Sequence, residues 1–338
     1  METVDALPKI DLHRHLEGSI RLSTLAELVR SEGINLPSDE DSLRRIVQVS
    51  GDDPKTSDNF LSKFKHLRSF YRSPEIIQRI VRETIIDAAD DKVVHLELHF
   101  TPFALAQLRD FPLHEVVDWV IESALDTADQ IGMGVGLIPS FNRHESVQIA
   151  EQVVKIAVDR MGKGIVGLGL SGNEVDFSAE PFVELFHAAQ RAGLKITIHA
   201  GEWTGAGTVR HAIDQIGADR IGHGIRIMED PEVIALARDR RTAFEVCLSS
   251  NLQSGVVNRM EDHPLPAMIQ AGLQVTLNTD DPGVSNIRLS DEFKIAMDSL
   301  GLTTTTLTAL TMVAAQASFL ELASKKQLER SLEEKIFS

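Results

Sequence analysis

The amino-acid sequence predicts an α/β fold, a TIM (β/α)8 barrel with a helical lid inserted after the first strand and helices at the C-terminus. Three observations predict it. Short β-rich runs alternate with longer stretches of helical spacing, the pattern of a parallel sheet with crossover helices. About eight such runs can be counted, the number that closes a barrel. Several are almost continuously apolar, as strands covered on both faces must be.

The strands are expected at 9–15, 92–100, 133–141, 164–170, 195–199, 220–223, 242–247 and 274–279. Between them lie amphipathic segments such as 178–192, where Phe182, Leu185, Phe186 and Ala189 fall at i, i+3, i+4 and i+7 and form one apolar stripe. Segment 22–82 is too long for one crossover. Its acidic, turn-rich middle (37–54) leads into Asn59-Phe60-Leu61-Ser62-Lys63-Phe64, and the segment is read as the inserted lid. After the eighth strand, 291–338 reads as helical and ends in a charged stretch, 325–335, expected to be a solvated helix face. No repeat or low-complexity linker divides the chain, so one barrel domain over 1–338 is expected.

Composition narrows the function classes. With 50 acidic against 34 basic residues the formal charge is −16, which repels a phosphate backbone, and no Lys/Arg cluster is dense enough to reverse this locally. Nucleic acid is therefore not an expected partner. The lone Cys247 forms no internal disulfide and cannot supply a Cys-rich zinc module. The first residues lack the basic start and apolar core of a secretory signal, and no run approaches the roughly 20 apolar residues that span a bilayer. A cytoplasmic protein with no membrane partner is expected.

The chemistry concentrates at strand ends. His13 and His15 are two apart on a strand, so their side chains point to the same side and can share one ion. An isolated His-x-His is common by chance, so more ligands are needed. The fifth strand delivers His199 to the rim and is followed by Glu202; the eighth ends in Asp280-Asp281. Functional residues of such barrels gather at the C-terminal strand ends. His13, His15, His199 and one of the two aspartates would give three nitrogens and one oxygen, with a position left for water as in catalytic zinc sites. His223, flanked by Gly222 and Gly224 at the sixth strand end, fits either a site residue or a packed core histidine. The remaining histidines, among them His99 and His263, receive no role. Zinc lowers the pKa of bound water toward about 7. Attack on an electron-poor carbon then needs an acid, for which Glu202 is placed, and His223 with the non-ligand aspartate can orient the hydroxide. Carboxylates beside metals also serve as orienters of the ligands.

Taken together, His13-Arg-His-Leu-Glu-Gly-Ser19, Leu170-Ser-Gly-Asn-Glu174, His199-Ala-Gly-Glu202, Gly222-His-Gly224 and Asn278-Thr-Asp-Asp-Pro-Gly283 resemble the adenosine deaminase family of amidohydrolase-type metal barrels. The resemblance covers nearly the whole chain. It implies one Zn2+ per chain held by His13, His15, His199 and Asp280. It further implies that Glu202 protonates purine N1, His223 orients the hydroxide, and Asp281 contacts both hydroxide and the N7 side. His15, Glu17, the Gly172 backbone and Asp281 would contact the substrate, with Gly172 at N3. Phe60, Leu61 and Phe64 match the family's apolar gate, and ordinary packing explains them equally well. The expected reaction is hydrolysis of adenosine, and of 2′-deoxyadenosine, to the inosine product and ammonia.

Where related two-metal barrels carry a modified lysine at the fourth strand end, this chain reads Leu168-Gly-Leu-Ser-Gly172, so a single metal is expected. The Cys-containing signature of cytidine-type deaminases is absent. Two departures bear on the substrate. Glu17 stands where adenosine deaminases usually carry the Asp that holds the ribose 5′-hydroxyl, and Asn173 and Trp203 also alter the pattern. Similar Glu-containing segments are familiar from deaminases of adenine and of 6-aminodeoxyfutalosine, which are the alternative substrates.

Overall fold

The β-branched, apolar runs pair as eight strands in the computed structural model, which describes residues 4–337: β1 (Lys9–His15), β2 (Val93–Phe100), β3 (Gly134–Asn142), β4 (Gly167–Ser171), β5 (Lys195–Ala200), β6 (Arg220–His223), β7 (Ala243–Val246) and β8 (Gln274–Leu277). They follow one another in chain order and every neighbouring pair is parallel. Helices cross over between them, giving a nearly closed (β/α)8 barrel.

The seam between β8 and β1 is closed largely by side chains. A single bridge joins Arg14 to Asp280. Around it, Leu12 N–H donates to Asn278 Oδ1 (2.9 Å), and the Asp11 carboxylate accepts from the Thr279 hydroxyl (2.7 Å). The strand β8 stops at Leu277, short of the expected 279; Asn278 N–H still donates to the Val246 carbonyl (2.9 Å), while its side chain and Thr279 bond β1. The fourth strand is expected from 164, but there only an isolated bridge from Ile165 to Leu137 forms beyond Gly164 at φ +102°, and the continuous strand runs from Gly167.

Between β1 and β2 run α1 (Leu22–Ser31), α2 (Glu40–Val47), α3 (Ser57–Leu67) and α4 (Pro74–Asp90). Ser73 caps α4 by accepting from Ile76 N–H, with Pro74 in its first turn. The crossover helix thus begins inside the segment expected to be insertion and runs past Arg82 into β2. Segment 178–192 enters through a 3-10 turn, Glu180–Phe182, before the helix Val183–Ala192, whose fully buried positions are Phe186 and Ala189.

The C-terminal region folds as helices Leu289–Asp298, Thr304–Ala317 and Leu322–Phe337. The last is mostly solvated, as its charge predicts, but Leu332 is buried with Ile10, Leu12, Ala314 and Ala315 against β1. No helix among the described residues is long and apolar enough to cross a membrane.

Candidate active site

Strand ends bring the motif residues together at the C-terminal rim. His13 and His15 come from β1, His199 from β5, His223 from the end of β6, and Asp280 from just beyond β8. His13 Nε2 lies 3.2 Å from His15 Nε2, and Asp280 Oδ1 is 3.4 Å and 3.3 Å from the same two atoms. The His199 ring centroid is 4.6 Å from that of His13 and 5.2 Å from that of His15. Glycine is required at two close approaches. A Cβ on Gly222 would stand 2.8 Å from His13 Cε1, and one on Gly18 would collide with the Asp281 carboxylate at 1.9 Å. His223 (φ +57°) and Asp280 (φ +61°) both hold left-handed backbone conformations that non-glycine residues rarely adopt, a local strain typical of functional positions.

These side chains are almost fully withdrawn from water, and their protonation follows. Burial, then neighbouring imidazoles, pushes His15 down to about 3 and His199 well below the ordinary histidine range. Both are neutral, with lone pairs free to bind a cation. For His13 burial works in the same direction, but hydrogen bonds to Asp280 and Glu245 prevail and hold it up at about 10. The cluster therefore keeps one positive charge between two carboxylates, where a metal cation could replace the proton. Three imidazoles and one carboxylate match the donor set of a catalytic zinc site. The buried His199 Nε2, which has no hydrogen-bond partner among the described residues, marks the same cavity as built for something more.

His223 is distinguished from the other rings by its support. Leu265 N–H donates to His263 Nδ1 (3.1 Å), so His263 carries its hydrogen on Nε2 and donates to Asn251 Oδ1 (3.1 Å). Asn251 Nδ2 in turn donates to His223 Nδ1 (3.1 Å). Burial holds His223 at about 4, so the neutral ring has its hydrogen on Nε2, 3.6 Å from Glu202 Oε2 and 3.7 Å from Asp280 Oδ2. A ring in this state is a donor and not a ligand.

Glu202 lies 3.7 Å from His199 Nδ1. Burial, then the charges of Asp280 and Glu174, pushes its carboxyl well above the usual range, which favours its protonated form. Asp281 is raised by burial and by the adjacent Asp280. Burial would raise Asp280 too, but the rings of His223 and His13 hold it well below the usual range, so the adjacent aspartates are shifted in opposite directions.

Several supporting residues lie outside the expected set. Glu245 on β7 accepts from His13 Nδ1 (2.6 Å) and from the Thr197 hydroxyl (3.0 Å), and it pairs with the buried Arg220 guanidinium. Glu174 accepts from the backbone N–H of Gly201 (3.0 Å), Trp203 and Thr204 (2.7 Å), fastening the loop that carries Glu202. Arg143 donates to the His199 carbonyl (2.6 Å). His99, read without a role, sits with its ring centroid 4.8 Å from that of His13. The signal available for Glu245 and Glu174 was a carboxylate within an apolar strand and one at a strand-end motif; neither spacing says what it would contact.

A cavity of about 600 Å3 opens over the cluster and is lined by the remaining expected residues, Glu17, Gly172, Asp281, Phe60, Leu61 and Phe64. Glu17 Oε1 accepts from Thr101 N–H (2.6 Å), while Oε2 is buried without a partner. Burial pushes this carboxyl up to about 7. Asn173 spends its side chain locally, accepting from Val175 N–H (2.8 Å) and donating to Asp176 (2.8 Å).

Comparison with known proteins gives a consistent result. The family model described as adenosine deaminase matches residues 8–335. An adenosine deaminase of Yersinia pseudotuberculosis serotype IB (strain PB1/+) is 33% identical over 333 residues, covering 98% of each chain. Among solved structures, an adenine deaminase from Arthrobacter aurescens superposes with a TM-score of 0.90 at 28% identity, over 98% of this chain and 100% of that one. The arabidopsis N6-mAMP deaminase gives 0.88 at 29% over 98% and 99%. A Burkholderia ambifaria amidohydrolase with bound Zn gives 0.88 at 25% over 98% and 91%.

Proposed function

Because this chain belongs to the adenosine deaminase family of hydrolytic deaminases, we propose that it replaces the 6-amino group of adenosine by water, yielding inosine and ammonia, as one functional barrel domain. The observation that carries this reading is the buried Glu202, 3.7 Å from His199 Nδ1, beside His13, His15, His199 and Asp280 gathered on the same rim. His13, His15, His199 and Asp280 would hold one zinc ion, a choice supported by the donor set and by the Zn-containing relative. The chemistry a bound zinc supplies is the lowering of a water pKa toward about 7, which makes hydroxide available at neutral pH.

The chain's own groups do the rest. Glu202 gives its proton to purine N1, which draws electrons from C6 and opens that carbon to the water oxygen. His223 Nε2–H, fixed as a donor by Asn251, orients that oxygen, and Asp281 contacts it and the N7 side of the ring. One water proton passes to the amino group, which leaves as ammonia when the C6–N bond breaks, and the other returns to Glu202 for the next turnover. His15, Glu17 and the Gly172 backbone contact the bound nucleoside, with Phe60, Leu61 and Phe64 shielding it from water.

Adenine and 6-aminodeoxyfutalosine form a second reading of the substrate, favoured by the likeness to an adenine deaminase and by Glu17, which replaces the family's usual Asp in the sequence and has a buried Oε2 without a partner. The reaction is the same. Glu202→Gln is expected to lower kcat on adenosine by about 10^2 to 10^4-fold while the bound metal is retained. Ammonia release together with metal analysis of the same sample checks this, and undiminished turnover would defeat the mechanism.

A further inference from the structure

The carboxylates that line the cavity, Glu17, Glu202, Asp280 and Asp281, all lie at its floor, each at most 5% exposed. The cationic side chains that line it, Lys65 and Arg68, come from α3 and the turn that follows it. Neither makes a side-chain hydrogen bond or ion pair among the described residues, although the chain carries an acidic excess that offers partners at most surface sites. Arg68 is half-buried and close enough for its charge to act on Glu17, Tyr71 and His144. A guanidinium partly withdrawn from water without a counter-ion, facing a ligand cavity, is a place for an anion.

We propose that Arg68 and Lys65 form an anion subsite at the outer end of the cavity, so that the preferred substrates are adenine nucleosides carrying a phosphate or carboxylate beyond the ribose 5′ position. The inference rests on the deaminase reading above and on the placement of Glu17 at the 5′ end of the sugar. Arg68 lines the same cavity as Glu17 and is close enough for its charge to act on that carboxyl, so a group extending past the 5′ carbon comes within reach of the guanidinium. Phe64 and the exposed Leu108 line the same cavity and supply an apolar surface for the linking atoms. The fork of Arg68 can receive two oxygens of either anion, and Lys65 adds a point charge.

The test is kcat/KM for adenosine, adenosine 5′-monophosphate and 6-aminodeoxyfutalosine on the metal-loaded full chain, in wild type, Arg68→Lys and the double variant Arg68→Ala/Lys65→Ala. At low ionic strength one of the two anionic compounds is expected to exceed adenosine by about tenfold or more, and the better of the two identifies the anion. In the double variant that ratio falls toward one, with Arg68→Lys between. A ratio taken within one preparation does not depend on how much of the protein is folded. Adenosine as the best substrate, or a ratio unmoved in the double variant, overturns the subsite and leaves the deaminase reading intact. No ammonia from any of the three compounds overturns the reading beneath it.

Discussion

Each imidazole at the rim takes its role from whatever holds its second nitrogen. His13 gives Nδ1 to Glu245, whereas His223 accepts at Nδ1 from Asn251, which leaves the first ring charged and the second neutral with its hydrogen directed at Glu202 and Asp280. Asn251→Leu keeps the volume and removes both hydrogen bonds. It is expected to lower kcat/KM by about 10- to 100-fold with metal content unchanged, since the ring loses its orientation and not the cluster its ligands. Metal analysis beside steady-state rates checks this; loss of metal in proportion to activity would show that Asn251 merely holds the cluster together. The groups readable from sequence at this scale are those whose chemistry is local: His13 and His15 by their alternation on a strand, Glu202 by its distance from His199, Asp280 and Asp281 by adjacency. Glu245, Asn251 and His263 were not readable, because a residue that acts by touching another strand's side chain leaves no mark in its own neighbourhood. His99 is the plainest example, a strand-body histidine that stands against His13 only because β1 and β2 pair in the register His15 with His99.

Elements carry these residues by fastening their ends. Glu174, at the end of β4, accepts three backbone N–H groups from the loop after β5, so one carboxylate sets the approach of Glu202. A comparable arrangement holds the short helix Leu248–Gln253 that presents Asn251: Glu292 accepts from Leu248 N–H (2.6 Å) and Ser249 N–H (3.1 Å). Burial nonetheless raises the Glu292 carboxyl from an ordinary 4.5 to about 7. The folded chain therefore binds more protons at this group than the unfolded chain between those values, and the stability Glu292 contributes below pH 4.5 is lost as pH rises through 7. Glu292→Gln, which stays neutral throughout, should gain on wild type by roughly 3 kcal/mol in unfolding free energy between pH 4.5 and 8. Denaturant titrations of both proteins across that range check it, and a constant difference would contradict it. The strands were legible because each needs an apolar run to be buried on both faces, and seven linkers between them have helical length. Their ends were less so: Pro74 and Ser73 mark the true start of α4 within a segment read as insertion, and β8 ends at Leu277, beyond which the Asn278 side chain and Thr279 bond β1.

At the scale of the molecule, the barrel interior is where stability and chemistry meet. Arg220, fully buried, donates to Glu97 (2.6 Å) and pairs with Glu245, and its guanidinium lies 3.5 Å from the centroid of the Phe319 ring. Since Glu245 also holds His13, the C-terminal segment behind the barrel is joined through side chains to the histidine and aspartate cluster at the rim. Gathering carboxylates around one point carries a cost that positive groups beside them, and a cation if bound, would offset. The whole-molecule plan, eight parallel strands in chain order, was the most legible feature, because alternation of runs sums over the entire length; the Arg220 network was not, because its members lie far apart in sequence. The central claim is that one divalent ion in this cluster drives deamination. Zinc titrated into metal-stripped protein, with ammonia release from adenosine followed at each addition, is predicted to raise activity from near zero to a plateau at one zinc per chain. Activity in the stripped protein that zinc does not change, or a plateau reached only at two ions per chain, would contradict the account.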